Sequence, residues 1–582
     1  MNMQVWKYEN NYLDANFCQE DFRDFIGDKI KADKIWKSYK EELESIPDEK
    51  KILVKPYKNN SLLLFFTNNV DYTYLNSYIN VYIKKHKELY NNEKLKELVS
   101  NIDSYSFERP LIKQVEDYLN NDVYNKICCL YGLRQTGKTT VMLQSIKKLL
   151  TKTDKVAYLL ASTDSKTSEI IDLIDDLIKF NYKYIFIDEI TYLKGFLENA
   201  NIFSDGFAKR GSKIIITGTD SFILDLAETD LLYNRMIRVN TSYISFDEFN
   251  KIYPNIDYLD YLHKGGTFDI NDFYDETHLK EYIDKTIYEN LVHSLEAIND
   301  EHKFTRLQSL LETGHLDTAL YNVFKFDNSE FILENIANSF KVGELKKVAN
   351  KFNNINIENS TQNQIKNSLK EIFNIKDDIR QYLNDDVIRE LHDFLYRTNI
   401  LNHYFAYEND QKKEYYLVQQ TGFRYIQLKS LINTMFSSET FNTLDEELKA
   451  EIKNYVEGIV EGKILEHNIV VNILNKVPEN FKYNIHQCRL NNRQEWDLVV
   501  NYEDHIDIFE VKRNENYYEG QAQWLIDEEM IKYYTDIVFH KPILNRYLIY
   551  RGTTKPNTAG NYTINCIKVN DFILNYQNYI HC

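Results

Sequence analysis

Short, almost wholly apolar runs alternate with amphipathic segments between about residues 106 and 240. The runs KICCLYG, KVAYLLAS, YKYIFIDE and KIIITGT each predict a strand, and the segments between them predict helices. A strand that is buried on both faces has apolar residues at successive positions. The alternation of such strands with helices is typical of a parallel sheet that helices cover on both sides. This stretch therefore predicts an α/β domain with a parallel sheet.

The remainder of the chain shows other patterns. Before residue 106, Lys- and Glu-rich helical stretches surround one strand-like run, SLLLFF. After residue 240 the pattern is mostly helical, as in the 3.6-residue period of 386–396. From about residue 445, a helix precedes the strand-like runs FKYNIHQCRL, EWDLVVNY and IDIFEVKR, which are followed by a helix, the strand NRYLIYRG, and a last strand and helix.

A chain of 582 residues is too long for one hydrophobic core. The changes of pattern divide it into four parts. These are an N-terminal α/β region of unknown role over 1–105, a parallel-sheet core over 106–240, a helical region over 241–440, and a second α/β domain over 441–582.

The charge balance restricts the kinds of partner. A net charge of -18 argues against a large nonspecific nucleic-acid footprint, because such binding depends on Lys and Arg neutralising phosphates. A local basic channel stays open as an alternative. The 45 tyrosines are scattered along the whole chain and so do not define a surface for stacking bases.

Targeting and redox signals are also informative. The N-terminus has no basic segment followed by an apolar run, and apolar stretches such as 62–66 are too short to span a bilayer. We therefore expect a cytoplasmic protein with no membrane partner. The six cysteines form no CxxC pair, which predicts reduced thiols, with Cys128 and Cys129 on a buried strand.

The run GLRQTGKTT at 132–140 matches the phosphate-binding motif GxxxxGK[ST], between a predicted strand and a predicted helix. In such a loop, backbone N–H groups surround phosphates, the Lys reaches the β- and γ-phosphates, and the Thr hydroxyl binds Mg²⁺. The motif thus predicts a site for ATP and Mg²⁺. The candidate binding residues are Gly132, Arg134, Gln135, Thr136, Gly137, Lys138, Thr139 and Thr140.

Two carboxylates, Asp188 and Glu189, directly follow the run YIFI of a predicted strand. Charges at the edge of a buried strand are costly unless they serve a metal or a reaction. We expect Asp188 to hold the Mg²⁺ shell and Glu189 to orient and activate the attacking water. The motif therefore predicts an ATPase.

Three further polar residues follow in the same region. Thr219, after the strand KIIITG, is a candidate sensor of the γ-phosphate, with an ordinary strand-end turn as the alternative. Arg235 and Arg238 are each candidates for an arginine finger that acts across a subunit boundary, with a surface arginine as the alternative.

The stretches GLRQTGKTT, YIFIDEI, ITGTDS and YNRMIR-x(5)-ISFDEF resemble the bacterial and archaeal AAA-type ATPases that carry a C-terminal nuclease-like domain. The resemblance covers about 106–250 and 385–582 and implies a P-loop NTPase core. In that family the arginine at the position of Arg235 usually follows Gly, whereas Asn234 stands here. The segment Leu391 to Leu401, followed by KEYYLVQQTGFRY, resembles the family's winged-helix part, which is either a DNA-binding wing or a structural spacer.

Asp497, Glu510 and Lys512 match the D-x(12)-E-x-K spacing of the PD-(D/E)xK nuclease superfamily, whose usual fourth member corresponds to Glu461. If the turn after Asn501 closes symmetrically, residue 501 opposes 506 and Asp497 opposes Glu510. Paired carboxylates favour a shared Mg²⁺, with Lys512 positioning or activating water. The alternative is a surface hairpin whose charges alternate for solubility.

These residues leave three functions open. The first is an ATP-binding and ATP-hydrolysing protein whose nucleotide state controls a metal-dependent nuclease, in nucleic-acid processing or anti-phage defence, with DNA or RNA as partner and catalytic Glu461, Asp497, Glu510 and Lys512. The second is a regulatory ATP switch whose nuclease-like domain binds a partner protein or a second copy without cutting. The third is an ATPase that remodels protein or DNA. Residues 481–582 carry 11 Lys and Arg against 13 Asp and Glu, which favours the second and third.

Overall fold

The computed structural model divides the chain into two compact units, Met1–Thr241 and Ser242–Cys582. The residues that it describes are 3–9, 12–46, 51–56, 62–67, 70, 74–75, 78, 89–100, 102, 107–162, 165–179, 182–254, 256–269, 275–298, 303–325, 327, 382–437, 439–442, 446–491 and 494–582. Residues 328–381 lie outside these ranges.

The first unit alternates strands and helices after an N-terminal α/β part. Its strands are β1 (Met3–Glu9), β2 (Tyr12–Asp14), β3 (Ile52–Pro56), β4 (Leu62–Thr67), β5 (Leu89–Asn91), β6 (Ile127–Tyr131), β7 (Val156–Leu160), β8 (Tyr184–Asp188), β9 (Lys213–Gly218) and β10 (Met236–Asn240). Its helices are α1 (Gln19–Ile26), α2 (Lys29–Ser45), α3 (Asn92–Ser100), α4 (Ile112–Asn120), α5 (Lys138–Leu150), α6 (Thr167–Lys179), α7 (Phe196–Asn201) and α8 (Ser221–Asp230).

A four-stranded antiparallel sheet in the order β2-β1-β4-β3 forms the N-terminal part. Helix α2 packs its aromatic residues on this sheet, with the rings of Trp36 and Tyr39 each 5.3 Å from the ring of Phe65. A buried ion pair of 2.8 Å joins Lys55 on β3 to Asp176 on α6. The N-terminal part therefore packs directly on the core that follows it.

A six-stranded sheet in the order β10-β6-β9-β8-β7-β5 forms the core of the first unit. Five strands are parallel, and only the edge strand β5 is antiparallel. The parallel sheet predicted from the apolar runs is therefore confirmed. All five residues of β6 are buried, including Cys128 and Cys129. Because the strands are parallel, the loops after β6, β8 and β9 meet at one edge.

The second unit combines helices with a mixed sheet. Its strands are β11 (Leu401–Glu408), β12 (Gln411–Val418), β13 (Ile485–Leu490), β14 (Gln494–Asn501), β15 (Ile506–Lys512), β16 (Ile543–Tyr550), β17 (Lys555–Ala559) and β18 (Tyr562–Lys568). Its helices are α9 (Phe246–Ile252), α10 (Tyr258–Lys264), α11 (Glu276–Tyr282), α12 (Glu289–Ala297), α13 (Thr305–Glu312), α14 (Asp385–Arg397), α15 (Thr421–Phe436), α16 (Glu439–Asn442), α17 (Glu446–Lys476), α18 (Glu479–Lys482), α19 (Glu528–Tyr533) and α20 (Val569–Leu574).

The eight strands form one sheet in the order β12-β11-β13-β14-β15-β16-β18-β17. The segment that resembles a winged helix supplies the hairpin β11–β12, and β11 pairs in parallel with β13. The sheet therefore runs across residue 440, where the sequence pattern placed a boundary. One face of the sheet packs against the long helix α17 in a shared hydrophobic core.

No helix among the described residues combines the length and the apolar character needed to cross a bilayer.

Candidate functional site

The loop after β6 begins the first candidate site. Gly137, which directly precedes α5, has φ 80°, and Gly132 and Gln135 have φ 141° and 59°, so the loop has positive φ at three positions. A glycine adopts such a conformation without steric cost, which explains its place directly before Lys138. The N-terminus of α5 points to the same edge of the sheet as the end of β8, as the motif requires.

Lys138 lies inside this loop. Its Nζ donates to the carbonyl oxygens of Gly132 and Leu133 at 2.9 and 2.8 Å. Burial lowers the pKa of Lys138 to about 8, although Glu189 and Asp188 act to raise it. The ammonium is thus held where phosphates would replace backbone carbonyls as its partners.

Asp188 is the centre of a hydrogen-bond network at the end of β8. Its Oδ2 accepts from Thr139 Oγ1 and from Tyr158 OH, both at 2.8 Å, and its Oδ1 accepts from Thr217 Oγ1. Hydroxyl and carboxylate oxygens are the ligands that Mg²⁺ prefers, so Thr139 and Asp188 fit a role in holding this ion. The strand β9, which carries Thr217, lies between β6 and β8.

Glu189 follows with φ 56°, a left-handed conformation that is uncommon for a residue other than glycine. Its Oε2 accepts from the backbone N–H and the hydroxyl of Thr219, at 3.2 and 3.1 Å. Burial raises the pKa of Glu189, while Lys138 acts to lower it. Thr219 therefore contacts the proposed base and holds its carboxylate in place.

The other predicted residues are placed as follows. Arg134 and Gln135 are exposed on the loop, and Thr140 is half-buried in the first turn of α5. Arg235 directly precedes β10, and its carbonyl accepts from the N–H of Ile127 at 2.9 Å. Since Ile127 begins β6, Arg235 lies at the edge of the sheet opposite the phosphate loop.

The two candidate arginine fingers have partners within the first unit. Arg235 pairs with Asp205 at 2.6 Å. Arg238 pairs with Asp225 and Glu228, at 3.1 and 2.8 Å. An arginine-finger role for either residue therefore stays a prediction about a second copy of the chain.

Sequence reasoning missed the residues that support the loop from outside the motif. Buried Arg109 donates to the carbonyl oxygens of Thr136 and Thr241, at 2.6 and 3.0 Å. The hydroxyl of Thr136 also lies 2.8 Å from that of Thr241. No local pattern marks Arg109 or Tyr158, because their roles depend on contacts with distant parts of the chain.

A second group of charged residues lies in the second unit. Strands β14 and β15 pair with Asn501 opposite Ile506 and Leu498 opposite Phe509. The register predicted from a symmetrical turn is therefore confirmed. It places Asp497 next to Glu510, and Asp497 Oδ2 accepts from the N–H of Val511 at 2.7 Å.

We call the group Lys463, Glu466, Glu495, Asp497, Glu510 and Lys512 the carboxylate cluster. Lys512 Nζ contacts Glu510 Oε1 and lies 3.9 Å from Asp497 Oδ2. From α17, Lys463 Nζ contacts Glu466 and lies 3.0 Å from Glu495 and 3.9 Å from Asp497 Oδ1. Two ammonium groups therefore already neutralise part of the cluster.

Burial and neighbouring charges together determine the pKa values in the carboxylate cluster. Burial raises the pKa of Asp497, Glu466 and Glu510, and each is raised further by neighbouring carboxylates. Burial acts to lower the pKa of Lys512, but Glu510 and Asp497 outweigh it and raise that pKa. Lys512 is therefore protonated in this arrangement and acts as a cation.

The structure places the fourth carboxylate predicted from the sequence, Glu461, away from the carboxylate cluster. Glu461 pairs with Arg513 at 2.9 Å, and its side chain is 41% exposed. The acid of α17 that faces the cluster is the buried Glu466. Five residues along a helix correspond to a rotation of about 140°, so Glu461 and Glu466 point to different faces.

Metal-binding geometry in the cluster is incomplete. Glu510 Oε2 is buried and has no hydrogen-bond partner among the described residues. Within those same parts of the chain, however, no three His, Cys, Asp or Glu side chains converge closely enough to hold a metal ion. The pair Asp497 and Glu510 supplies oxygen ligands, and a metal would have to compete with the lysines for them.

The first of these two sites has relatives among known proteins. Residues 124–250 match the profile of a family described as an AAA domain. The chain is 27% identical over 241 residues to an uncharacterized protein of Methanocaldococcus jannaschii, an alignment that covers 37% of this chain. The chain therefore spans about half the length of that relative.

Among solved structures, the chain is similar to the S. cerevisiae Hsp104–ADP complex. The sequence identity is 14%, the alignment covers 60% of this chain and 46% of that chain, and the TM-score is 0.20. The assignment of the first unit rests instead on the family match and on the loop, strands and carboxylates described above. Residues 124–250 are therefore similar to an AAA-type P-loop ATPase domain.

Proposed function

We propose that the chain hydrolyses ATP at the site of Lys138 and Asp188, and that the nucleotide state controls a metal-dependent nuclease centre at Asp497, Glu510 and Lys512. The observation that carries the nuclease part is the register of β14 and β15, together with the buried, unpartnered Glu510 Oε2. A buried carboxylate oxygen without a donor is costly, and a cation would satisfy it. Nucleic-acid processing or anti-phage defence is the setting we propose.

Each residue of the ATPase site has a separate task in this proposal. Lys138 neutralises the β- and γ-phosphates, and Thr139 and Asp188 hold Mg²⁺. The bound ion would supply charge neutralisation on the phosphate oxygens. Glu189 orients the attacking water and receives its proton, and the two hydrogen bonds from Thr219 fix the direction of that carboxylate.

In the second centre, Asp497 and Glu510 would hold Mg²⁺ through their carboxylate oxygens. The ion would supply activation of water and stabilisation of the charge on a scissile phosphate. Protonated Lys512, at the end of β15, stabilises the same negative charge on the phosphate, since its ammonium already lies next to the proposed metal ligand Glu510. Glu466 contributes a further buried carboxylate next to these residues.

Nucleotide-dependent cleavage tests the proposal. Purified protein is incubated with Mg²⁺ and labelled single- and double-stranded DNA and RNA, with ATP, with ADP and without nucleotide. The Glu189→Gln variant is compared with the natural protein, because it should keep ATP bound while hydrolysis is slowed by about 10²-fold. We expect a cleavage rate that differs between the ATP- and ADP-bound forms. If no substrate is cut in any state, the nuclease part of the proposal fails.

The second candidate function is an ATP switch whose C-terminal domain binds a partner without cutting. A specific observation favours it: Lys463 and Lys512 already act as internal counter-ions, so the cluster is compensated without a metal. Buried charge networks of this kind occur as structural elements, and removing one partner leaves an uncompensated charge.

The Lys463→Met substitution separates the two functions. We expect the free energy of unfolding in EDTA to fall by about 3–5 kcal/mol, because Glu466 loses its cation and Glu495 keeps only Arg489 as a counter-ion. If the centre binds metal, Mg²⁺ should restore part of that loss, and more than it stabilises the natural protein. Urea unfolding with EDTA and with Mg²⁺ measures both effects. A variant that Mg²⁺ does not stabilise would favour the non-cleaving module.

ATP binding should take up protons near pH 8. Burial lowers the pKa of Lys138 to about 8 in the nucleotide-free protein, and a neighbouring triphosphate raises it again. At pH 8 we expect an uptake of about half a proton per site, which fades toward pH 6 because Lys138 is then already charged. Calorimetric titrations in two buffers with different ionisation enthalpies measure the uptake.

The same shift makes a prediction about stability. Between the lowered pKa of about 8 and the ordinary value of 10.5, the unfolded chain binds more protons at Lys138 than the folded chain does. The free energy of unfolding without nucleotide should therefore gain a contribution that rises with pH in this window. A Lys138→Met variant should lack both this contribution and the proton uptake, and uptake that persists in it would contradict the assignment.

A further inference from the structure

A cleft of about 450 Å³ lies at the edge of the C-terminal sheet next to Lys512. Strands β15 and β16 are parallel, and the cleft is lined by the residues that directly follow each of them. Its volume falls in the range of about 300–1,000 Å³ that is typical of small-ligand sites. The charged, amide and aromatic side chains on its lining include those of Glu461, Arg513, Glu515, Asn516, Tyr518 and Arg551.

The two arginines are held together by the backbone that carries them. The N–H of Arg551 donates to the carbonyl oxygen of Asn514 at 3.1 Å. A Cβ added at Gly552 would lie 2.3 Å from the carbonyl oxygen of Glu515, so only glycine permits this close approach of the two segments. Arg513 and Arg551 are therefore presented to one cleft from two connected strand ends.

Both guanidinium groups have carboxylate partners that an anion could replace. Arg513 pairs with Glu461 at 2.9 Å, and Arg551 pairs with Glu515 at 3.1 Å. The members of both pairs are substantially exposed, and exposed ion pairs contribute little free energy. A phosphate accepts paired hydrogen bonds from guanidinium groups with a geometry that suits them well.

An aromatic ring lies beside these cations. Tyr518 is 57% exposed on the lining of the cleft, and the amide of Asn516 lies nearby in the same segment. An exposed ring stacks on an unpaired base, and such stacking is tolerant of sequence. A base paired within a duplex cannot use it in this way.

We propose that this cleft binds a nucleotide unit of single-stranded nucleic acid, with its phosphate on Arg513 and Arg551 and its base on Tyr518. The inference rests on the proposed function, because it gives the nuclease centre its substrate and leads the strand past Lys512, the residue directly before Arg513. The net charge of -18 agrees with a short contact on one strand, since a long duplex footprint would need many more free cations.

The proposal gives Glu461 a role opposite to that of a catalytic residue. Glu461 competes with phosphate for Arg513, so the Glu461→Gln substitution should strengthen nucleic-acid binding several-fold. A metal ligand would show the reverse in cleavage, because its loss would weaken the metal site. The sign of the change therefore separates the two roles.

Binding of a short fluorescein-labelled oligothymidylate in EDTA, measured by fluorescence anisotropy, tests the cleft without requiring cleavage. We expect Arg513→Ala, Arg551→Ala and Tyr518→Ala each to weaken binding by about tenfold. Tyr518→Phe should retain binding. Each arginine variant should also lower the slope of log affinity against log salt by about 0.7. Arg210→Ala is the matched control, since Arg210 is 47% exposed and pairs with Asp175 much as Arg513 pairs with Glu461, but lies in the first unit.

The outcomes for binding and for cleavage are distinguishable. If the cleft variants lose binding but the natural protein cuts nothing with Mg²⁺, the cleft stands and the nuclease proposal fails. If the cleft variants bind as the natural protein does, the cleft proposal is overturned, whatever the cleavage result. Displacement of the oligothymidylate by thymidine monophosphate at equal nucleotide concentration would identify a free nucleotide as the ligand. That result would overturn the proposal that the cleft binds single-stranded nucleic acid. Equal competition by unlabelled duplex would also overturn it.

Discussion

Replacing Lys138 by alanine should reduce ATP turnover by at least about 10²–10³-fold, because the β- and γ-phosphates lose the cation that lies inside their binding loop. The ammonium is already in place without nucleotide, where it donates to the carbonyl oxygens of Gly132 and Leu133. Its loss therefore removes a preorganised charge from the loop. Release of inorganic phosphate at saturating ATP and Mg²⁺ measures the effect.

The control for this variant is Lys152→Ala. Lys152 follows the same helix but is exposed, so its loss should leave turnover unchanged. Lys138→Ala itself should not weaken folding, since burial disfavours the charged form of this lysine and lowers its pKa to about 8. A well-folded Lys138→Ala protein that still hydrolyses ATP would contradict the assignment of this loop as the phosphate-binding loop of the ATP site.

The sequence predicts which residues lie together at the proposed ATPase site because its parts are local. The phosphate loop directly follows β6 and directly precedes α5. Asp188 and Glu189 lie at the end of β8, the second buried strand after this loop. The partners of these residues are not local. Tyr158 reaches Asp188 from β7, and Arg109 reaches the loop from a segment before β6. Their roles depend on strand order, which periodicity does not reveal.

In the carboxylate cluster, too, local neighbours can be predicted from the sequence, whereas contacts that depend on long-range packing cannot. A short symmetrical turn fixes the register of β14 and β15, so the neighbours Asp497 and Glu510 can be predicted. The choice between Glu461 and Glu466 depends on how α17 is rotated against the sheet. Both acids lie on a long helix with many buried positions, and only packing shows which of them faces Lys463 and Asp497.

The extent of the sheet could not be predicted either. Strand β11 pairs in parallel with β13, and about 80 residues separate their paired positions. Parallel pairing over such a distance leaves no trace in local hydrophobic patterns. The hairpin β11–β12 therefore looks like a separate wing in the sequence, although in the structure it extends the sheet that carries the carboxylate cluster.

Replacing Asp497 by asparagine should reduce Mg²⁺-dependent cleavage by about 10²-fold or more, if the proposed centre cuts nucleic acid. The change removes one of the two negative charges that the register places side by side, and a hard cation needs both. Asparagine keeps the shape of the side chain and an oxygen that can accept from the N–H of Val511. The loss should therefore lie in metal binding and turnover, measured as cleavage rate against Mg²⁺ concentration.

Asp507→Asn is the matched control for this variant. Asp507 is a buried aspartate on β15, and its carboxylate accepts from the backbone N–H of Asn545 at 2.9 Å, so it resembles Asp497 in burial and in hydrogen bonding. Burial raises the pKa of both carboxyls, yet only Asp497 lies in the carboxylate cluster. If both substitutions change cleavage equally, the effect is structural and the metal centre is refuted. If only Asp497→Asn loses it, the charge next to Glu510 is the cause.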